Sequence, residues 1–170
     1  MEPINKVVGE IKPVVQNQDF NSAADTSTKP ATNITRLRPL ILIIEDESLI
    51  SNMYSHKLST DGYDVLNANN GNEGVKLAKE NIPDLILCDI MMPDKDGLST
   101  LKDLKSDEST KNIPVIMLSN LADDKYVMQA LDMGAVSYLV KSNVLPPDVV
   151  IKVKEVLKGA GKESLLTKAA

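Results

Sequence analysis

Five residues able to do chemistry stand directly after apolar runs in this 170-residue sequence. Glu45 and Asp46 follow Leu40–Ile44, Asp89 follows Leu85–Cys88, Ser119 follows Val115–Leu118, and Lys141 follows Ala135–Val140. Carboxylates drawn together repel and raise one another's pKa unless a cation lies among them. Oxygen-only donors suit a hard ion. An open octahedral site with few protein ligands suits Mg²⁺, with Mn²⁺ as a substitute, because the ion keeps waters for a phosphate. Asp89 would then be a nucleophile, since aspartate is among the side chains that carry a covalent phosphoryl group. The ion and Lys141 would offset the phosphoryl charge, and Ser119 would hydrogen-bond its oxygen.

These residues can act together only if the elements carrying them share an edge. From Pro39 onward, five apolar strand patterns alternate with five helical ones. The strands are read at Leu40–Ile44, Tyr63–Leu66, Leu85–Cys88, Val115–Leu118 and Ala135–Val140. The first helix is expected to bury Leu49, Ile50, Met53, Tyr54 and Leu58, and the fourth, Asp123 to Met133, to use Val127, Met128 and Leu131. The others open at Asn70–Gly71, Gly97 and Pro146–Pro147. Continuously apolar strands separated by amphipathic helices predict a parallel sheet covered on both faces, a doubly wound α/β domain over 39–158. Right-handed crossovers place every strand's C-terminal end along one edge. With the order 2-1-3-4-5, the first and third strands are neighbours at the switch point, where ligands bind.

Composition excludes several alternatives. The longest apolar run is Leu40–Ile44, far short of the ~20 residues that span a bilayer, so no membrane association is expected. A single cysteine excludes an internal disulfide framework and fits a reducing, cytoplasmic setting. The net charge of −5 is concentrated in 39–158, which holds twelve lysines, no arginine and nineteen acidic residues. Nucleic-acid binding needs a cationic face, and none is expected here. Residues 1–38 read as a disordered or weakly structured leader. Within it, Ile4, Val7, Val8, Ile11, Val14 and Val15 recur at helical spacing, while Gly9 and Pro13 interrupt the pattern. Residues 159–170 read as a flexible tail. Only twelve residues follow the last helix, so no output domain is expected.

Four blocks carry a resemblance: Ile43-Ile44-Glu45-Asp46-Glu47, Asp84-Leu-Ile-Leu-Cys-Asp89-Ile-Met-Met-Pro93-Asp-Lys-Asp-Gly97, Val115-Ile-Met-Leu-Ser119, and Gly134-Ala135-Val-Ser-Tyr138-Leu-Val-Lys141. In this order the sequence resembles the response-regulator receiver domain of two-component signalling, over residues 39–158. The resemblance implies a flavodoxin-like fold and a single-domain, chemotaxis-regulator-like switch. It implies Asp89 as phospho-acceptor, Mg²⁺ held by Glu45, Asp46, Asp89 and the backbone carbonyl of Met91, and Lys141 on the phosphoryl group. Ser119 and Tyr138 would be the switch pair. The donor would be a histidine kinase or histidine phosphotransfer protein, and the output a protein partner or a second copy. Chemistry is expected on Asp89 only, without turnover of an outside substrate.

Three residues depart from the family pattern. Ser142 stands where proline usually follows the lysine, leaving the Lys141–Ser142 bond either trans or strained. Asn120 replaces a small residue and narrows access to Asp89. Glu45 replaces the commoner aspartate and adds a methylene. Other signals carry nothing. Cys88 reads as core and His56 as surface. A calcium-loop reading of Asp94-Lys-Asp96-Gly97 fails because its first ligand would be Met92. Gly159-Ala-Gly161-Lys162 lacks the remaining phosphate-loop residues. A flavin module would want hydroxyls where Glu45-Asp46-Glu47 stands, and an aspartate phosphatase a nucleophile after the first strand.

Overall fold

The computed structural model describes residues 36–162. The leader and its valine stripe through residue 35, and the tail from residue 163, lie outside the described residues. The chain alternates strand and helix throughout: β1 Leu40–Ile44, α1 Ser48–Thr60, β2 Asp64–Ala68, α2 Gly71–Asn81, β3 Leu85–Asp89, α3 Gly97–Ser106, β4 Val115–Ser119, α4 Asp124–Asp132, β5 Ser137–Val140 and α5 Pro146–Gly159. All neighbours pair in parallel in the order β2-β1-β3-β4-β5. This is the doubly wound sheet that the alternating pattern predicts.

The three central strands are buried along their whole length, and the edge strands β2 and β5 are only partly covered. Side chains alternate across the sheet. Ile41, Ile43, Leu85, Leu87, Ile116 and Leu118 point to one side, where Tyr54 and Leu58 of α1 meet Val149, Val153 and Leu157 of α5. Leu42, Ile44, Ile86, Cys88, Val115 and Met117 point to the other, under α2, α3 and α4. Each fully buried leucine or isoleucine contributes about 1.5–3 kcal/mol, so the sheet is the stiff base that fixes the strand ends. Helix starts are set by local acceptors. Asn70 Oδ1 accepts from Glu73 N at 2.9 Å, Asp96 Oδ1 from Ser99 N at 2.7 Å, and Asp123 Oδ1 from Lys125 N at 2.8 Å. Pro146 opens α5, whose Asp148 accepts the Leu145 N–H at 2.8 Å.

Several expectations are corrected. In α1 the buried residues are Ser51, Tyr54 and Leu58, whereas Leu49 is 87% exposed and Met53 is also exposed. Leu49 lies nine residues before Leu58, which at about 100° per residue puts it roughly opposite. In α4 Met128 and Leu131 are exposed, and Ala130 is the one fully buried residue. Strand β2 runs to Ala68, with Tyr63 in the turn, and β5 is shorter by Ala135 and Val136. Helix α5 includes Gly159, and Lys162 pairs with Asp84 at 2.7 Å, so the start of the expected tail is part of the domain. Arg36, placed in the leader, hydrogen-bonds the carbonyl ends of α2.

Candidate functional site

The C-terminal ends of β1, β3, β4 and β5 deliver the chemistry-bearing residues to one edge. The register sets Ile44 beside Cys88 and Asp89 beside Leu118, so Glu45 and Asp46 emerge next to Asp89. Ser119 pairs with Val140, which puts Lys141 one residue beyond it. Carboxylate oxygens of Glu45, Asp46 and Asp89 lie within 4.8 Å of one another. Lys141 reaches across from β5: its Nζ is 2.6 Å from Glu45 Oε2 and 3.0 Å from Asp89 Oδ2. All three side chains are withdrawn from solvent, with exposures of 6% for Lys141, 0% for Glu45 and 4% for Asp89.

The electrostatics follow from that burial. Desolvation pushes the Glu45 carboxyl above its ordinary value, with the Asp89 charge adding to it, although the Lys141 hydrogen bond pulls the other way. Burial works against the Lys141 charge, but the Glu45 hydrogen bond and the nearby acids outweigh it and hold its pKa above the ordinary lysine value. The ammonium therefore stays charged. Asp46 differs from its neighbours: its Oδ1 is buried and has no hydrogen-bond partner. A buried carboxylate oxygen without a partner costs free energy unless an outside group meets it. Together with the all-oxygen donor set, it makes the cluster fit a hard divalent cation such as Mg²⁺.

The supporting loops are specific. Asp89 Oδ1 accepts the Met91 N–H at 3.2 Å, which orients that carboxylate. Ser119 Oγ accepts the Leu121 N–H at 3.0 Å, leaving its own proton available to a phosphoryl oxygen. The Tyr138 hydroxyl donates to the Leu121 carbonyl at 2.8 Å. The bond between Lys141 and Ser142 is trans, and Lys141–Asn143 form one 3₁₀ turn. A groove of about 310 Å³ lies over Lys141, with Tyr54, Asn120 and Ser142 among its polar walls. Two of the three departures from the family pattern thus face the approach to the site.

Sequence reasoning missed one positioning residue. A Cβ at Gly97 would sit 2.0 Å from the Asp89 carbonyl oxygen and 2.7 Å from Ile90 Cα, so α3 can start this close to the acceptor only with glycine. The Gly97 N–H also donates to the Ile90 carbonyl at 2.9 Å. Its signal is its place at the end of the Pro93-Asp-Lys-Asp-Gly97 run, which by itself marks a helix start and not a close approach to β3. Cys88 is fully buried and His56 exposed, as expected.

Residues 41–152 match the family model for the response regulator receiver domain. The chain belongs to this family. Among curated relatives, it is 44% identical over 103 residues to the DNA-binding dual master transcriptional regulator RpaA of Synechocystis, covering 61% of this chain and 43% of that protein. It is 36% identical over 121 residues to the phosphate regulon transcriptional regulatory protein PhoB of Pseudomonas aeruginosa, covering 71% and 52%. The chain spans about half the length of these relatives. A CheY-like receiver domain from Methanospirillum hungatei superposes with a TM-score of 0.69 at 29% identity, covering 74% of this chain and 98% of that one. Vibrio cholerae chemotaxis protein CheY4 gives a TM-score of 0.67 at 28% identity, covering 71% and 99%. The doubly wound sheet read from alternation and the flavodoxin-like receiver fold implied by the resemblance both agree with these neighbours. Among the described residues of this receiver domain, no helix is long and apolar enough to cross a membrane.

Proposed function

We propose that this receiver domain is a phosphorylation-controlled switch whose acceptor is Asp89. One observation carries the reading: Lys141 bridges Glu45 and Asp89 beside a buried, unpartnered Asp46 oxygen. Such a site gathers three carboxylates around one ammonium, a donor set that suits a divalent cation. Asp46, Glu45, Asp89 and the Met91 carbonyl would hold Mg²⁺, which when bound supplies positive charge to the oxygens of the transferring group.

The chain's own groups do the rest. An oxygen of Asp89 forms the O–P bond as the P–N bond of a phosphohistidine donor breaks, and the imidazole leaves and takes up a proton. Lys141, already 3.0 Å from Asp89 Oδ2, stays within reach of the phosphoryl oxygens. Ser119 donates its hydroxyl proton to one of them. Water later cleaves the acyl phosphate and returns Asp89 to its starting state. A histidine kinase or histidine phosphotransfer protein fits the role of donor, in the cytoplasm.

Output would pass through a protein partner or a second copy. The elements α4, β5 and α5 and their flanks carry Asp123, Asp124, Asp132, Asp148 and Glu155 against Lys125, Lys152, Lys154 and Lys158, with Met128 and Val136 exposed near α4 and β5. Mixed charge around apolar side chains suits a protein surface better than a nucleic acid or a membrane. The test is labelling with a small phosphodonor in the presence of Mg²⁺. Wild type should be labelled, and Asp89→Asn, or chelation of the ion, should abolish the label. Undiminished labelling of Asp89→Asn would overturn the assignment.

A further inference from the structure

At the far edge of the sheet from Asp89, the turn between α2 and β3 is gripped from both flanks of the domain. From the N-terminal side, Arg36 donates from Nη1 to the Ile82 carbonyl at 2.9 Å and from Nη2 to the Asn81 carbonyl. From the C-terminal side, Lys162 lies 2.7 Å from Asp84 Oδ1 and also faces the Asp84 carbonyl. The other oxygen of that carboxylate accepts the Leu40 N–H at 2.8 Å, while the Asp84 N–H donates to the Leu40 carbonyl at 2.7 Å. Four consecutive residues, Asn81-Ile82-Pro83-Asp84, thus hold the entry to the first strand and the exit from the last helix.

The turn is not relaxed. Ile82 closes α2 in the left-handed region, with φ 44° and ψ 70°, and its side chain is largely exposed. A β-branched residue there is strained, and such strain persists only where surrounding contacts over-determine it. Here the contacts on offer are the Arg36 fork on the two α2 carbonyls, the bond from Ile82 N–H to the Ala78 carbonyl, and the fixed Asp84. Releasing Arg36 removes two donors from a strained corner, and the corner's relaxation moves the carboxylate that Lys162 holds.

We propose that the Asn81–Asp84 turn is a junction coupling the two flanks of this receiver domain, so that loosening Arg36 loosens residues 158–162, which Arg36 does not touch. The coupling is carried by the strained backbone of Ile82. Neither flank contacts the phospho-acceptor site, so the junction is separate from it.

Hydrogen exchange, read by peptide on the full chain, tests this. Arg36→Gln should raise exchange several-fold in 158–162 as well as at the end of α2, with small-donor labelling of Asp89 unchanged. Asp84→Asn should raise it at Leu40 and in 158–162 together. Ile82→Gly relieves the left-handed strain, and in that background Arg36→Gln should alter exchange in 158–162 much less. The proposal is overturned if Arg36→Gln loosens the end of α2 while 158–162 exchange as in wild type, or if Ile82→Gly leaves the long-range effect intact.

Discussion

Ser119 and Tyr138 grip the same residue from two sides: Leu121 donates its N–H to Ser119 Oγ at 3.0 Å and accepts the Tyr138 hydroxyl on its carbonyl at 2.8 Å. The two residues proposed as the switch pair are thereby joined through one residue of the β4–α4 loop. A phosphoryl oxygen on Asp89 that drew Ser119 inward would also pull on Leu121, and the Tyr138 hydroxyl would have to follow or let go. On the proposed reading, that linkage would convert local charge into a displacement of α4 and β5.

Ser119→Ala removes the acceptor of the Leu121 N–H and the donor to the phosphoryl group. Labelling of Asp89 should remain measurable, while the phosphorylation-dependent change in partner affinity or dimerisation should fall at least several-fold. Leaving a part-buried N–H unpaired costs about 1–3 kcal/mol, so thermal stability should drop as well. A variant that switched as fully as wild type would break the proposed linkage.

Gly97→Ala should be disproportionately damaging for one added methyl. The new carbon would lie 2.0 Å from the Asp89 carbonyl oxygen, a backbone atom that cannot rotate away. Overpacking of this kind costs about 1–3 kcal/mol and shifts backbone. The expected result is a lower Tm together with a slowing of Asp89 labelling of at least tenfold, because the acceptor's own peptide is displaced. An alanine variant labelled at the wild-type rate would show that α3 can retreat without moving the site.

The sheet and its edge were legible because burial on both faces leaves an unambiguous mark: β1, β3 and β4 are unbroken apolar runs, and each stops at a polar residue. What was illegible depends on angles and reach. Helical periodicity placed Leu49 and Met53 in the core, yet α1 turns Ser51, Tyr54 and Leu58 inward, since a one-position error in phase rotates the face by about 100°. No local pattern reveals that Lys141 spans to Glu45, 96 positions away, or that Tyr138 reaches back to Leu121. Gly97 was readable only as a helix start, because its true constraint comes from a neighbouring strand. Arg36 and Lys162 reach the Asn81–Asp84 turn by topology alone.

Asp107 supplies a pH test away from the site. Hydrogen bonds from Lys79, then from the Ser109 hydroxyl and N–H, hold its carboxyl well below the ordinary carboxylate range. A folded-state pKa below the unfolded one contributes stability above the unfolded value and loses it as pH falls toward the folded one. The gap in Tm between wild type and Asp107→Asn should therefore be constant from about pH 5 to pH 8 and close below about pH 4. Because Lys79 and Asp107 are partly exposed, added salt should shrink the gap. A gap that widened in acid would contradict the sign.

Cys88 should behave as a silent thiol in the folded protein. It is fully buried, and that burial, with the Asp89 and Glu45 charges beside it, pushes its pKa far above the ordinary thiol value. Only thiolate reacts with a disulfide reagent, so labelling should proceed no faster than global unfolding and should accelerate in step with it as denaturant is added. Rapid labelling without denaturant would reveal a local opening of β3 next to the acceptor.

Helix α4 is held by less than any of its neighbours, with Ala130 its one fully buried residue. On the proposed reading, so light a seat would let α4 shift at small cost once Asp89 carries phosphate. A hydrogen bond to a charged phosphoryl group is worth about 1.5–3 kcal/mol, enough to bias a lightly seated helix. The signal would then be a change in where α4 sits, graded by the amount of phosphate on Asp89.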